Sequence, residues 1–500
     1  MIARLAFVGC LAISVLLAAQ PLKPTLVETT LPTADVVVAS VVLEPAQGDA
    51  TPRIQEAIDR VAGAGGGVVF LRTGWYRIRG RLTLKEGAVL RGDWVEPSQG
   101  VKGTVLALYA GKGEADTAPI IAMQRGTGLR ELTFWFPEQN ATKPVPYPWV
   151  ARTADKIGGD NTTVMDVTIV NAWQGVCIGP QSNELHTMRN LYLTALKTGI
   201  SIDSTTDIGR LNHVVISPRI WEQSGLPGAP IGSARTACRG HQAKAALGVD
   251  IGRSDWEYIH DVEIEGLAIG FKFRQGKRGV TNAVMVLSKA VDCGTALVLE
   301  RLNGVGLAVT GCELEGTQSG VLAPESFTTV ATFNSCTIGG KQSVQLQGDG
   351  VLTFQNCSLN GTLTAERGQV TALNSSFAAA GRHIVLGSSV GRARILGNTF
   401  EGRPRIENQA QAADIGISHA PLAKVKPDLT PYVSAPVRTP PKRALFVVTD
   451  FGADGKAADN TPAFAKALTA AREAGGGTVY VPAGAGVNSS TRPSQRWLSV

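Results

Sequence analysis

The chain has 500 residues, is 44% hydrophobic and only 18% charged, and carries a net charge of +7 with a pI near 9.0. That composition supports a large core, and 57 glycines suit many tight turns. The mild positive charge agrees with acidic partners such as uronate-bearing polysaccharides, but no dense Lys/Arg run is present, which argues against nucleic-acid binding.

In chain order, residues 1–20 read as a signal peptide. Arg4 supplies the positive start, residues 5–17 the apolar stretch, and Ala18-Ala19 the small residues before a cut near Gln20. The stretch is short for a membrane span, and no other candidate span follows. The expected location is secreted or periplasmic.

Residues 49–74 (DATPRIQEAIDRVAGAGGGVVFLRTG) and 459–484 (DNTPAFAKALTAAREAGGGTVYVPAG) are two gapless copies of one segment, offset by 410 positions. Such a repeat says that one structural unit begins twice. Thr51 is the expected N-cap, with Pro52 at the first helical position. Ile54, Ala57, Ile58 and Val61 form one apolar face, repeated by Phe464, Ala467, Leu468 and Ala471. The glycine triplet ends the helix and a short strand follows. A helix of this kind can cap the open end of a stacked sheet; an ordinary helix–strand connection is the alternative.

The middle of the chain repeats VTIVNAWQGVCI (167–178), LYLTALKTGISI (191–202) and VEIEGLAIGFKF (262–273), with Gly175, Gly199 and Gly270 at the ninth position. Strict alternation on either side of each glycine predicts strands with one buried face. Further starts at Leu132, Val214 and Val284 give spacings of 24, 23 and 22 residues over 167→191→214 and 262→284. This period predicts an all-β fold, a right-handed parallel β-helix with an N-terminal capping helix. Cys312, Cys336 and Cys357 keep the same spacing and read as a column of small buried side chains, since no metal-ligand spacing is present. Two insertions, 137–160 and 218–258, interrupt the coils.

The β-helix is expected over 40–418 and a Pro-rich linker over 419–444. Residues 445–500 open a second β-helix unit that reads as truncated, because the tail AGVNSSTRPSQRWLSV lacks strand pattern. The string DFGADGKAADNTPAFAKALTAAREAGGGTVYVPAG (450–484) closely resembles the opening motif of the pectate lyase superfamily domain shared by rhamnogalacturonase- and epimerase-like proteins. Two such units in tandem are similar to the exo-β-1,3-glucanases of glycoside hydrolase family 55. The resemblance implies a β-helix acting on polysaccharides. It does not fix the reaction, because the family includes hydrolases, lyases, epimerases and phage tail-spike depolymerases. The N-T-D, G-H-G and R-I-K strings of polygalacturonases are absent. The resemblance to the tandem glucanases implies that the second helix supplies catalytic acid groups, and the expected truncation would remove that helix here.

Candidate catalytic residues come from aligning the coils. Glu131, Asp166, Asn190, His213 and Asp261 each precede a strand start and point outward. With coils about 4.8 Å apart, Glu131 and Asp166 are expected as a carboxylate pair of the kind glycosidases use. His213 with Asp261 is expected as a base and its orienting partner. The alternative is that these residues serve only to make turns. Tyr147, Trp149, Trp221, Glu222, Arg235, Arg239 and Trp256 in the insertions are candidates for substrate binding, by stacking on sugars or clamping carboxylates. They would otherwise anchor the loops. No cofactor or metal is expected, and no loop motif supports calcium. The expected partner is a polysaccharide or oligosaccharide, with no nucleic acid and no stable membrane span. The favoured function is a secreted carbohydrate-active enzyme, hydrolase before lyase; the alternative is a non-catalytic glycan-binding solenoid.

Overall fold

The computed structural model describes residues 22–33, 36–156, 158–411, 414–418, 420, 422, 428–430 and 444–483. The expected signal peptide, nearly all of the linker and the tail beyond residue 483 lie outside the described residues.

The alternating segments stack into one hydrogen-bonded sheet of 28 strands among the described residues, with every pairing parallel. It winds as a right-handed parallel β-helix, the hand that parallel crossovers favour. Val167 pairs with Leu191, Leu191 with Val214 and Val214 with Val262, so the repeated blocks form one wall. Each long strand is bent. In the strand Thr163–Ile178, for example, residues 163–165 belong to a first wall, 167–169 to a second and 176–178 to a third. Val167, Ile169, Val176 and Ile178 point into the coil and are buried.

The corner between the second and third walls explains the ninth-position glycines. Gly175, Gly199, Gly248 and Gly270 lie in register, and a Cβ on Gly199 would stand 2.7 Å from the Gly248 carbonyl oxygen. Backbones approach there too closely for a side chain.

Helix α1, Thr51–Gly63, buries Ile54, Ala57, Ile58 and Val61 against the first coils, closing the stack. Its start differs from expectation. Thr51 is already helical and Ala50 is the cap residue, while the Asp49 carboxylate accepts the Thr51 amide at 3.0 Å and its hydroxyl at 2.7 Å. The one-residue shift lets Asp49 also bond the Arg79 amide and tie the helix to the coil.

Other boundaries move for the same reason, that hydrogen-bond register rather than local pattern sets them. Val284 pairs with Tyr258, on the first wall, and is not a second-wall start; Ser288 is the residue that meets Val262. Trp149–Thr153 and Leu247–Ile251 are coil strands, so the insertions shrink to about 137–148 and 217–246. The second carries helices α2, Arg219–Glu222, and α3, Gly232–Ala245. Asp255 and Trp256 belong to the strand Ser254–Glu265. Described residues before 40 also pack on this unit, with Thr25–Leu26 paired antiparallel to Val38–Ala39.

Cys312, Cys336 and Cys357 stack in successive coils, fully buried, with Ser375 continuing the column. The six cysteines in the described residues are free thiols. The second copy of the opening unit forms strand Leu445–Val447, helix α4, Thr461–Glu473, and strand Thr478–Tyr480. Here Ala463, Ala467 and Ala471 are buried while Leu468 is exposed, a narrower face than the sequence pattern suggested.

Candidate functional site

The corner between the first and second walls is made by one residue per coil in the left-handed conformation. Glu131 (φ 53°), Asp166 (57°), Asn190 (51°), His213 (53°) and Asp261 (53°) are followed by Leu287, Gly311, Ser335, Asn356, Asn374 and Gly397, all with positive φ. Asn and Asp tolerate this region because their short polar side chains bond locally. The column therefore exists for a conformational reason. Its side chains nevertheless project from the corner at one-coil spacing, and in the coils of Asp166 to Asp261 they meet.

His213 and Asp261 occupy consecutive coils. His213 Nδ1 stands 2.7 Å from Asp261 Oδ2, and His213 Nε2 stands 2.8 Å from the hydroxyl of Tyr192. With Nδ1–H donated to the carboxylate, Nε2 is the nitrogen that accepts the Tyr192 proton. The hydrogen bond from Asp261 raises the His213 pKa above its ordinary value, and the same bond lowers that of Asp261. Burial raises the Tyr192 phenol. The imidazole and carboxylate are each more than 40% exposed, while Tyr192, on the outer face between the inward Leu191 and Leu193, is covered by Trp94.

Tyr192 lies beneath Trp94, ring centroids 5.9 Å apart, and the Trp94 indole N–H donates to Thr168 Oγ1 at 2.9 Å. Trp94 belongs to an excursion over residues 93–103 that leaves the coil at the corner. Asp93 anchors it by accepting from the Thr30 amide and the Thr73 hydroxyl, and the Val101 amide bonds Ser224 beyond α2. The excursion closes at Gly103 (φ 97°), where a Cβ would lie 2.1 Å from the Asp93 carbonyl oxygen. Neither this excursion nor Tyr192 was singled out as functional from sequence. The signal available was a break of about eleven residues in strand pattern, with a Trp inside it and Gly at both ends.

Glu131 is not part of an accessible carboxylate pair. Arg91 grips it with two bonds, 2.5 and 2.9 Å, Thr33 donates a third at 2.8 Å, and both charged side chains are buried. Asp166 is more available. It accepts from Asn190 Nδ2 at 2.6 Å and has Arg130 at 4.0 Å; burial, outweighing these, raises its pKa. Arg189, next to Asn190 on the outer face of the first wall, contributes a further positive charge, and its Nε has no hydrogen-bond partner among the described residues.

The other candidates divide. Tyr147 is fully buried with its ring 4.5 Å from Phe136, and burial pushes its phenol up to about 12. Trp221 is buried where α2 packs on the wall. Glu222 receives both Arg239 nitrogens at 2.7 Å and has Arg235 at 3.7 Å, which ties α2 to α3. Trp221, Glu222, Arg235 and Arg239 hold the second insertion in place, and Tyr147 anchors the first; the arginines clamp a carboxylate of the chain itself. Trp149 is partly buried on a coil strand. Trp256 is partly exposed beside Tyr258. Among the described residues, no group of three or more His, Cys, Asp or Glu is arranged for a metal ion, and no helix is long and apolar enough to cross a membrane.

No protein-family model matches the chain, and no protein of curated function does. Solved structures do resemble it. The A-module of the Azotobacter vinelandii mannuronan C-5 epimerase AlgE6 is 15% identical, with 76% of this chain and 96% of that one covered and a TM-score of 0.40. The tailspike protein of E. coli bacteriophage HK620, in complex with a pentasaccharide, is 10% identical over 75% of this chain and 77% of that one, at 0.49. The catalytic unit of a GH87 α-1,3-glucanase from Streptomyces thermodiastaticus is 14% identical over 72% and 67%, at 0.44.

Proposed function

We propose that this protein is a carbohydrate-active enzyme that modifies an acidic polysaccharide by proton transfer at the Tyr192–His213–Asp261 relay. The observation that carries this reading is the unbroken hydrogen-bond chain from a buried phenol to an exposed carboxylate, roofed by Trp94. Neutral His213 takes the phenolic proton on Nε2 while Tyr192 removes a proton from a sugar carbon next to a carboxylate. Arg189 pairs with that sugar carboxylate and stabilises the charge that develops on it. In elimination the electron pair forms a carbon–carbon double bond, the glycosidic bond breaks, and Asp166, whose raised pKa keeps its proton longer, protonates the departing oxygen.

Hydrolysis by a carboxylate pair has less support, because Glu131 is committed to Arg91. The test is a panel of polymannuronate, polygalacturonate and β-1,3-glucan, read for unsaturated ultraviolet absorbance and for reducing ends. Unsaturated product from a uronate polymer, lost in Tyr192→Phe, is the expected result. Reducing ends without unsaturation mean hydrolysis, and binding without product means a recognition module; either outcome refutes elimination.

A further inference from the structure

We propose that the polysaccharide leaves the relay across the first wall, and that Trp256 and Tyr258 form a binding platform for sugars remote from the reacting one. The inference rests on the reading of the relay as the reacting site. It follows from which directions are closed. On the second wall, Thr133 and Thr168 are fully buried beneath the 93–103 excursion and its neighbours, which blocks the path toward α1. Beside Asp261 the same wall is covered by Arg219 of α2, which bonds Glu265 at 2.6 Å and Glu263 at 3.5 Å.

The first wall is open. Along the strand Ser254–Glu265, Glu257 and Ile259 point into the coil, while Trp256, Tyr258 and His260 point out and lead to the corner at Asp261. Tyr258 is 42% exposed, and its ring lies 6.4 Å from that of Trp256 at a 39° tilt, so the two present one broad apolar surface. Arg210, the exposed register partner of Tyr258, adds a cation beside it. At about 3.3 Å per residue, Tyr258 lies roughly 10 Å and Trp256 roughly 17 Å from Asp261. Only an oligomer spans that reach. The occupant is the polysaccharide itself, because the row of outward side chains runs without a break into the relay, and aromatic faces paired with a cation suit the apolar faces and carboxylates of uronate sugars.

The experiment is calorimetric titration of the full chain with disaccharide and hexasaccharide fragments of polymannuronate and polygalacturonate. The wild type is expected to bind the hexasaccharide more tightly than the disaccharide. Tyr258→Ala and Trp256→Ala should each weaken hexasaccharide binding about fivefold, and Tyr258→Phe should retain it. Tyr258 is exposed enough to carry the test if Trp256→Ala misfolds. Hexasaccharide affinity unchanged in Tyr258→Ala overturns the platform, as does equal loss for both lengths or no binding of either polymer by the wild type. If length-dependent binding is lost in Tyr258→Ala but His213→Ala turns over as wild type, the platform stands and the relay reading falls.

Discussion

Replacing Glu131 with Gln separates a structural role from a chemical one. The Glu131 carboxylate and the Arg91 guanidinium are both buried and joined by two short charge-assisted bonds, with Thr33 as a third donor. Removing one partner of a buried pair leaves an uncompensated charge and costs about 3–5 kcal/mol. Gln keeps one acceptor, which places this substitution near the lower end. It also leaves the strain of the left-handed corner unchanged. The urea midpoint of E131Q should therefore fall clearly below wild type, with turnover per folded molecule retained. Replacing both partners with apolar residues, Arg91→Met with Glu131→Leu, should recover most of the loss, because paired deletion removes both desolvation costs. A midpoint equal to wild type together with abolished turnover would refute this account and return Glu131 to the chemistry.

Asp261→Asn should move the His213 titration back toward about 6.5, shift the acid limb of the pH–rate profile to lower pH and reduce turnover; histidine NMR titration checks it. The raised His213 pKa contributes stability that is full below about pH 6.5 and lost as pH rises through the folded value, whereas the depressed Asp261 pKa contributes above about pH 3.9 and is lost as pH falls through its folded value. The pair's stabilisation should peak between those limits and stay below about 1 kcal/mol, since both groups are well exposed. Gly199→Ala drives a Cβ to 2.7 Å from the Gly248 carbonyl oxygen and should lower stability by about 1–3 kcal/mol, measured by thermal unfolding. Leu287→Asn places a residue suited to left-handed backbone in the corner column and should raise the unfolding free energy by up to about 1 kcal/mol, read as a higher urea midpoint, because Leu287 holds φ 50° and is only partly buried.

The β-helix was legible because it is periodic. Alternation around Gly175, Gly199 and Gly270 reports one buried face per strand and one close approach per coil, both local demands on residue type. The helix face of Ile54, Ala57, Ile58 and Val61 was legible for the same reason. The corner column was visible as a register of polar residues with turn-making as the stated alternative, but the left-handed conformation it shares was not. A sequence does not display φ, and the Leu at 287 in the same conformation breaks the polar pattern.

The site was legible only where it follows the coil period. His213 and Asp261 meet because they occupy the same position in consecutive coils, so alignment alone placed them together. Tyr192 lies two residues beyond the corner residue Asn190, on the coil before His213, and reaches the imidazole only because the corner turns the chain between them. The fate of Glu131 depended on Arg91, forty residues earlier, and on a segment before residue 40 folding over both. The roof over Tyr192 came from an excursion whose course is set by contacts to Thr168 and Ser224, far along the chain. Period and burial are properties of residue type and spacing, which the chain carries locally. Which outward charge is neutralised, and which wall is covered, depends on loops crossing between coils, and that is decided only when the whole stack has formed.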